Sequence, residues 1–209
     1  TASWQTAPAY VLLVGDATYD PRNYLGVGDV DFVPTRLADT LDYQAAYDDW
    51  LADRNGDDVA DLAIGRLPVR TVAEAQTVVG KILSHEAAPT GPLTALFVAD
   101  APTGDNFVVN SEAVQALVPS NVSIHQVYRA LAGSAARQQT LDAINAGPSI
   151  VHYSGHGSIT LWAGNILMDT DAASLSNADR LSVFTVSNCL NAYFHASVGD
   201  SLGEALIKA

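Results

Sequence analysis

The chain has 209 residues, of which 48% are hydrophobic and 16% charged, and its formal net charge is −13 at pH 7. This composition excludes a disordered chain, and no apolar run reaches the ~18 residues that a membrane-spanning helix needs. Because so acidic a protein repels phosphates and anionic lipids, we expect no nucleic-acid partner and no membrane insertion. A single cysteine, Cys189, excludes an internal disulfide.

Short apolar runs alternate along the chain with segments of helical spacing. Continuous apolar runs of this kind are typical of strands covered on both faces of a sheet. The predicted strands are Tyr10–Val14, Leu62–Ile64 (the weakest), Leu93–Ala99, Val122–Val127, Ser149–Tyr153 and Ser182–Val186. The predicted helices are Thr71–Ala87, Ser111–Leu117, Ser134–Asn145 and Ser201–Ala209. The alternation predicts an α/β fold with a mainly parallel sheet.

Residues 88–92, with the sequence Ala-Pro-Thr-Gly-Pro, are the best candidate for an internal boundary, because proline and glycine interrupt regular structure. We expect a smaller N-terminal α/β subdomain over residues 1–88 and a fuller α/β unit over residues 92–209. The sequence begins with Thr-Ala-Ser rather than Met and shows no signal peptide. We therefore expect the chain to be part of a larger multidomain protein.

Two candidate catalytic residues follow predicted strands. His156 is flanked by glycines after Ser149–Tyr153, and Cys189 comes after Ser182–Val186. In a parallel sheet, the loops beyond the carboxyl ends of the strands form the ligand crevice. The 33 residues that separate His156 from Cys189 match one strand–helix–strand unit of roughly 30 residues. A thiol beside an imidazole can act as a nucleophile. The alternatives are a turn histidine and a buried structural thiol.

A third candidate site is an acidic loop, residues 53–61, in which oxygen-bearing side chains recur at alternate positions around a glycine. This spacing is that of an EF-hand-like calcium loop, although the glutamate of position 12 is replaced by Ile64. The predicted ligands of a structural calcium ion are Asp53, Asn55, Asp57, the Val59 carbonyl and Asp61. The alternative is a turn rich in Asp and Asn before a strand.

The segments YSGHGSITLW, FTVSNCLNAYF and SLGEAL strongly resemble the gingipain family of cysteine peptidases, in the clan that also holds caspases and legumain. YVLLVGDATYDPRN and the acidic loop extend the resemblance over nearly the whole chain. It implies a caspase-like α/β/α sandwich with a mainly parallel sheet, preceded by a smaller α/β subdomain. It also implies a bacterial cysteine endopeptidase, secreted or at the cell surface, with peptide or protein substrates.

The resemblance assigns roles to individual residues. By it, Cys189 is the nucleophile that forms an acyl-enzyme thioester, and His156 protonates the leaving amine. The backbone N–H groups of Gly157 and Cys189 stabilise the oxyanion. Asp100, at the end of a predicted strand, is the best match for the acid that orients the histidine. Its alternative role is that of a solvated strand-end aspartate or of a partner for a helix dipole. Asp105 is a weaker candidate for the acid that orients the histidine.

Substrate preference is where the sequence departs from the family. The Arg-specific gingipains bind the basic side chain through an aspartate, whereas Val108 or a neighbour stands at the matching position here. Specificity for Arg or Lys is therefore not carried over. Trp162 follows the histidine in the family pattern and is expected to wall the substrate pocket, with a core aromatic as the alternative.

The resulting hypothesis is a cysteine endopeptidase with a Cys/His dyad that processes or sorts secreted proteins. Hydrolysis and transfer are not separated, because both pass through the same acyl-enzyme. One alternative is a catalytically silent gingipain-like module for binding or scaffolding, with a calcium-stabilised loop. Another is a calcium-dependent adhesion module in which the thiol is buried. A covalent inhibitor that fails to label Cys189 would favour the silent module.

Overall fold

The structure is a computed structural model that describes residues 8–88 and 91–209. The chain divides into two compact units. The first unit comprises the residues up to Val78 together with Tyr193–Gly199, and the second comprises Val79–Ala192 and Asp200–Ala209. Residues 89 and 90, in the middle of the boundary expected at residues 88–92, lie outside the described residues. That boundary stays a prediction.

The first unit contains two small sheets. Its strands are β1 (Tyr10–Val14), β2 (Arg36–Asp39), β3 (Gln44–Tyr47) and β4 (Ala63–Leu67). β1 and β4 pair in parallel, whereas β2 and β3 form an antiparallel pair. The sequence did not indicate β2 and β3, because four-residue strands that mix small and polar residues carry almost no apolar periodicity.

A long helix, α1 (Val72–Ala87), follows β4. It starts where the Thr71 hydroxyl accepts a hydrogen bond from the Glu74 backbone N–H at 3.1 Å, as a capping residue does. The division between the two units falls inside this helix, between Val78 and Val79.

The second unit contains a four-stranded parallel sheet with the strand order β6-β5-β7-β8. Its elements, in chain order, are β5 (Thr94–Ala99), α2 (Phe107–Gln115), β6 (Ser123–Tyr128), α3 (Arg129–Ala132), α4 (Ala136–Asn145), β7 (Ile150–Ser154), β8 (Val183–Ser187) and α5 (Leu202–Lys208). All four of these strands were predicted, and the parallel pairing confirms the predicted sheet type.

Both faces of the central strand β5 are buried, because its alternate residues enter different hydrophobic clusters. Leu96 and Val98 join a cluster that also contains residues of α4, whereas Phe97 joins a second cluster with Phe107 of α2. A sheet with a helical layer on each face is the α/β/α arrangement that was expected. The helices cover the two faces, so the loops that follow the strands meet at the edge formed by the strands' carboxyl ends.

One predicted helix is shifted. The expectation for α2 was Ser111–Leu117, but the helix begins at Phe107, because the Asn106 side chain accepts a hydrogen bond from Val109 N at 3.3 Å. Ser111 is therefore an interior helical position and is completely buried. Within the described ranges, none of the helices combines the length and apolarity needed to cross a membrane.

Candidate active site

The neighbouring strands β7 and β8 bring the two predicted catalytic residues to the same edge of the sheet. Their parallel register places Ser154 opposite Ser187. His156 and Cys189 each lie two residues beyond these paired positions, so their loops leave the sheet side by side. Both residues are exposed. The exposure of Cys189 excludes the alternative of a buried structural thiol.

The loop after His156 contacts the loop that carries Cys189. A Cβ atom added to Gly157 would collide with Nδ2 of Asn188 and would lie 3.1 Å from the Leu161 carbonyl oxygen. The Asn188 amide therefore packs directly against the backbone of Gly157. Glycine is required here because any side chain would push the two loops apart.

Asn191 is buried beneath both loops, and no role was predicted for it from the sequence. Its Oδ1 accepts hydrogen bonds from Trp162 Nε1 at 2.6 Å and from Asn188 Nδ2 at 2.7 Å. Its Nδ2 donates to the Ser158 carbonyl at 2.7 Å. The available sequence signal was a second asparagine in the polar segment after β8, but two of its partners, Trp162 and Ser158, are 29 and 33 residues away in the chain and could not be inferred.

Asp100 is buried at the end of β5, so it is not the solvated strand-end aspartate that was weighed as an alternative. Its carboxylate forms an ion pair with Arg129 and accepts hydrogen bonds from the backbone N–H of Ala101 at 2.7 Å and of His156 at 3.4 Å. In the described part of the chain, no hydrogen bond joins this carboxylate to the His156 ring. Asp105, the weaker candidate, is exposed.

Tyr153, in β7, stabilises the histidine loop through a hydrogen bond to its backbone. Its hydroxyl donates a hydrogen bond to the His156 carbonyl at 2.7 Å. Burial raises the pKa of this phenol well above its ordinary value, and the negative charge of Asp100 acts in the same direction. The hydroxyl therefore stays protonated at neutral pH and remains a donor. A Cβ on Gly155 would collide with both Tyr153 and Asp100, which explains the first glycine of the motif.

Phe107 supports the histidine ring from the side. Its ring meets the His156 imidazole edge to face, with 4.9 Å between the ring centroids. Val108, the next residue, is half-buried and packs against the cluster around Phe97 and Phe107. Part of the Val108 side chain is therefore buried in the core, and only the rest can contact a substrate.

Trp162 has no surface to offer to a substrate. It is fully buried, and its ring stacks on Tyr153 with 4.1 Å between the centroids. Its indole N–H is also occupied by Asn191. The position agrees with the alternative role as a core aromatic and gives no support to the expectation that Trp162 walls the pocket.

Two backbone donors at this edge have no acceptor among the described residues. Neither Gly157 nor Cys189 donates its backbone N–H to another residue in the ranges that the structure describes. Such free donors in neighbouring loops can stabilise negative charge on a bound oxygen atom. They are the groups that the resemblance assigned to the oxyanion.

The acidic loop of the first unit is closed by its own backbone. The Asp53 carboxylate accepts from the N–H groups of Gly56 and Asp58, and that of Asp61 accepts from Arg54 N. Asp57 likewise accepts from Val59 N. The hydrogen bond from Gly56 is the main reason why the pKa of Asp53 lies below its ordinary value. These bonds agree with the Asp- and Asn-rich turn.

The same loop was also predicted to bind calcium, which requires its oxygen ligands to lie close together. Among the residues described, no three His, Cys, Asp or Glu side chains are grouped so that they could hold a metal ion. The oxygen atoms of Asp53, Asn55, Asp57 and Asp61 and the Val59 carbonyl keep the spacing of calcium ligands, but this arrangement does not bring the carboxylates together. Calcium binding stays a prediction.

Known proteins share this fold and much of this sequence pattern. The profile of Peptidase family C25 matches residues 1–209. Gingipain R2 and gingipain R1 of Porphyromonas gingivalis are each 25% identical to this chain in alignments 203 residues long that cover 93% of it. The chain spans only 26% and 20% of their lengths.

Solved structures of gingipains have the same fold as this chain. The crystal structure of the Arg-specific cysteine proteinase gingipain R superposes with a TM-score of 0.75 at 23% identity, covering 96% of this chain and 45% of the other. The complex of the pro- and mature domains of Porphyromonas gingivalis RgpB gives a TM-score of 0.77 at 23% identity, covering 99% and 47%. These likenesses confirm the caspase-like α/β fold, and the profile match over the full sequence shows that the chain belongs to Peptidase family C25.

Proposed function

We propose that this chain carries the catalytic centre of a cysteine endopeptidase, with Cys189 as nucleophile and His156 as its proton-transfer partner. The observation that carries the proposal is the meeting of the two exposed loops at the edge of β7 and β8. Membership of Peptidase family C25 supports it. Because the chain spans about a quarter of the curated relatives it matches, the activity of the whole protein is part of the proposal.

The reaction needs little beyond these two side chains. The Cys189 thiolate attacks the carbonyl carbon of a peptide bond, and the carbonyl oxygen takes the negative charge. As the C–N bond breaks, His156 gives a proton to the amine that leaves, and a thioester joins the acyl group to Cys189. Water then attacks the thioester and releases the acid and the free thiol. Attack by an amine instead of water would give transfer.

The oxyanion is stabilised by the backbone N–H groups of Gly157 and Cys189. Their lack of protein acceptors in the described residues supports this role. Fixed donors of this kind contribute about 3 kcal/mol each to the stability of the transition state. The close packing of Gly157 on Asn188 keeps the two donors in neighbouring loops.

Asp100 is proposed to orient His156 through the backbone of the loop rather than through the ring. Its contacts with the His156 N–H, the Ala101 N–H and Arg129 support this role. The imidazole is then held by Phe107 and by the position of its own main chain. An acid of this kind fixes the main chain from which the ring extends, and rotation about the side-chain bonds then carries the imidazole between the thiol and the leaving group.

Protein or peptide chains are the proposed substrates, and the acyl-enzyme route is open to both processing and sorting. One solved neighbour is described as Arg-specific, but this property belongs to that protein. Here the matching region holds Val108, which is partly packed into the core, and Trp162 is buried. We therefore do not extend the preference for arginine to this chain.

A structural calcium ion in the acidic loop and a secreted or cell-surface location complete the proposal. The alternating oxygen ligands of residues 53–61 support the ion. The named relatives are bacterial proteins, and the strongly acidic composition suits a soluble extracellular module. Detection of the protein in culture medium or on intact cells, against a cytoplasmic marker, tests the location.

Labelling of Cys189 with a library of peptidyl acyloxymethyl ketones, read by intact mass, tests the activity. We expect rapid labelling that depends on the peptide sequence and is lost in His156→Ala. The exposed histidine of β6 provides the matched control, and His125→Ala should label like the wild type. Equal, slow alkylation of wild type and His156→Ala would instead favour a silent module for binding or scaffolding.

A further inference from the structure

Asn191 joins the two loops of the candidate active site. It lies two residues after Cys189, and only 7% of its surface is exposed. Three short hydrogen bonds connect its side chain to Trp162 and Ser158 in the histidine loop and to Asn188 in the cysteine loop. A fourth, longer one reaches the Leu161 carbonyl at 3.4 Å. One buried amide thus bridges segments that are far apart in the sequence.

The orientation of this amide is fixed by its partners. The Trp162 indole N–H can only donate, so it must face Oδ1, and the Ser158 carbonyl can only accept, so it must face Nδ2. An aspartate at this position would keep the first bond but place an oxygen atom against a carbonyl oxygen. The site therefore requires a side chain that both donates and accepts.

The backbone around Asn191 is fixed by the start of α5. The Asn191 carbonyl accepts from Gly203 N at 2.8 Å, and the Ile159 carbonyl of the histidine loop accepts from Leu202 N at 2.8 Å. This helix start is itself ordered, since the Ser201 and Glu204 side chains bond each other's backbone N–H groups. Both loops are therefore attached to one rigid helix end.

The residue between Cys189 and Asn191 has an unfavourable backbone conformation. Leu190 has a φ of +63°, in the left-handed region that a bulky side chain rarely adopts. Such a conformation persists only where the surroundings determine it, and it is often found at functional sites. The hydrogen bonds of Asn191 directly after it are the contacts that can hold this turn, and with it the direction of the Cys189 N–H.

We propose that Asn191 is a positioning residue of the peptidase reaction, which holds the Gly157 and Cys189 backbone N–H groups in fixed relation through Asn188 and the Ser158–Trp162 loop. This inference rests on the proposed function. Asn191 touches no reacting atom and acts on the oxyanion donors alone. Its loss should therefore slow acyl transfer without changing the ionisation of the thiol.

Steady-state kinetics on a peptide chosen from the labelling experiment test this role. Asn191→Asp is expected to lower kcat about 100-fold while KM changes less than about threefold. Trp162→Phe removes only one donor and keeps the aromatic stack, so a smaller fall of about 10-fold in kcat is expected. Asn177→Ala removes a single surface amide bond and is the matched control, with wild-type kcat.

A second measurement separates positioning from a general loss of structure. The rate of Cys189 alkylation by iodoacetamide depends on thiolate formation and needs no oxyanion donors. Its pH profile should be the same in the wild type, Asn191→Asp and Trp162→Phe. If Asn191→Asp does not fold, Trp162→Phe and Asn188→Ala decide the question, since each removes one bond to the same amide.

The outcomes distinguish the two proposals. A wild-type protein without labelling that depends on His156 overturns the proposed function and this inference with it. An active wild type whose folded variants of Asn191, Asn188 and Trp162 keep full kcat overturns the inference alone. A shift of the alkylation profile that matches the loss of kcat also overturns it, because Asn191 would then act on the thiol.

Discussion

The acidic loop of the first unit and the loops at the β7–β8 edge of the second unit are both polar, exposed and glycine-containing, but they are built differently. The carboxylates of the acidic loop bond backbone groups within the same nine-residue stretch. The loops at the β7–β8 edge are joined by a buried amide, Asn191, which bonds Trp162 and Ser158 at distances of 29 and 33 residues along the chain. Local bonds shape a turn, whereas long-range bonds bring separate chemical groups together.

The largest expected effect concerns the nucleophile. Cys189→Ala should lower peptidase activity by about 10⁴-fold or more, because no other group can form the thioester. Because the side chain is exposed, the free energy of unfolding should change by less than about 0.5 kcal/mol. Peptide cleavage and thermal unfolding measured on the same preparation check both statements. Activity that survives in the variant would remove Cys189 from the mechanism.

The next effect concerns the contact between the two loops. Gly157→Ala places a methyl group where the Asn188 amide lies, so the loops must separate and kcat should fall about 100-fold. Gly80→Ala is the matched control, since Gly80 is a helical residue with open space around its Cβ position. That variant should keep its activity and gain roughly 0.5–1 kcal/mol in stability. Equal activity of the two variants would contradict the close packing of the loops.

A third effect concerns the two acids considered for the histidine. Asp100→Asn leaves the partly buried Arg129 without its counter-charge and should lower the free energy of unfolding by about 3 kcal/mol. Asp105→Asn changes an exposed side chain and should stay within about 0.5 kcal/mol of the wild type. Urea denaturation checks the difference, and similar stability of the two variants would count against the Asp100–Arg129 pair.

A fourth prediction applies to the acidic loop. If calcium binds there, an ion concentration of 100 times the dissociation constant should stabilise the protein by about 2.7 kcal/mol. Asp57→Asn removes one predicted ligand charge, keeps the side-chain shape and should reduce this stabilisation. Thermal unfolding with calcium and with a chelator measures it. Identical curves in both conditions would leave the loop as a turn closed by its own hydrogen bonds.

The smallest effect is a pH dependence in the first unit. The His195 ring is buried, donates from Nε2 to the Gln44 carbonyl at 3.1 Å, and has no partner at Nδ1 among the described residues. Burial lowers its pKa, although the charge of Asp16 opposes the shift. The unfolded chain therefore binds the proton first as pH falls below about 6.5, and stability is lost at up to about 1.4 kcal/mol per pH unit.

His195→Gln tests this dependence, because glutamine retains a donor for the Gln44 carbonyl but does not titrate. Its stability should fall less steeply than that of the wild type between pH 6.5 and 5. His125→Gln, at an exposed position, should leave the wild-type slope unchanged. A steeper or equal slope in His195→Gln would contradict the role of this ring.

Sequence patterns predicted β1, β4, the four strands of the second unit and the pairing of His156 with Cys189 at one sheet edge, because apolar runs mark these strands and the spacing between two of them fits neighbouring parallel strands. They did not predict β2, β3 or α3, which are only four residues long. The sequence left Trp162 open between a pocket wall and a core aromatic, and it predicted neither the partners of Asp100 nor the bridge made by Asn191. These depend on which side chains meet after the sheet has formed. The predicted start of α2, at Ser111, was four residues too late, because Asn106 was not recognised as the capping residue before Phe107.

The division of the chain into two interleaved units affects how the gene can recombine. Tyr193–Gly199 belongs to the first unit, although residues of the second unit precede and follow it. Neither unit is therefore one continuous stretch of the gene, and a single recombination point cannot transfer either of them intact. The nucleophile and α5 are encoded on opposite sides of a segment that belongs to the other unit. Exchange of one unit alone would need a recombination point at each division of the chain, after Val78, Ala192 and Gly199, so the two units are expected to be inherited together.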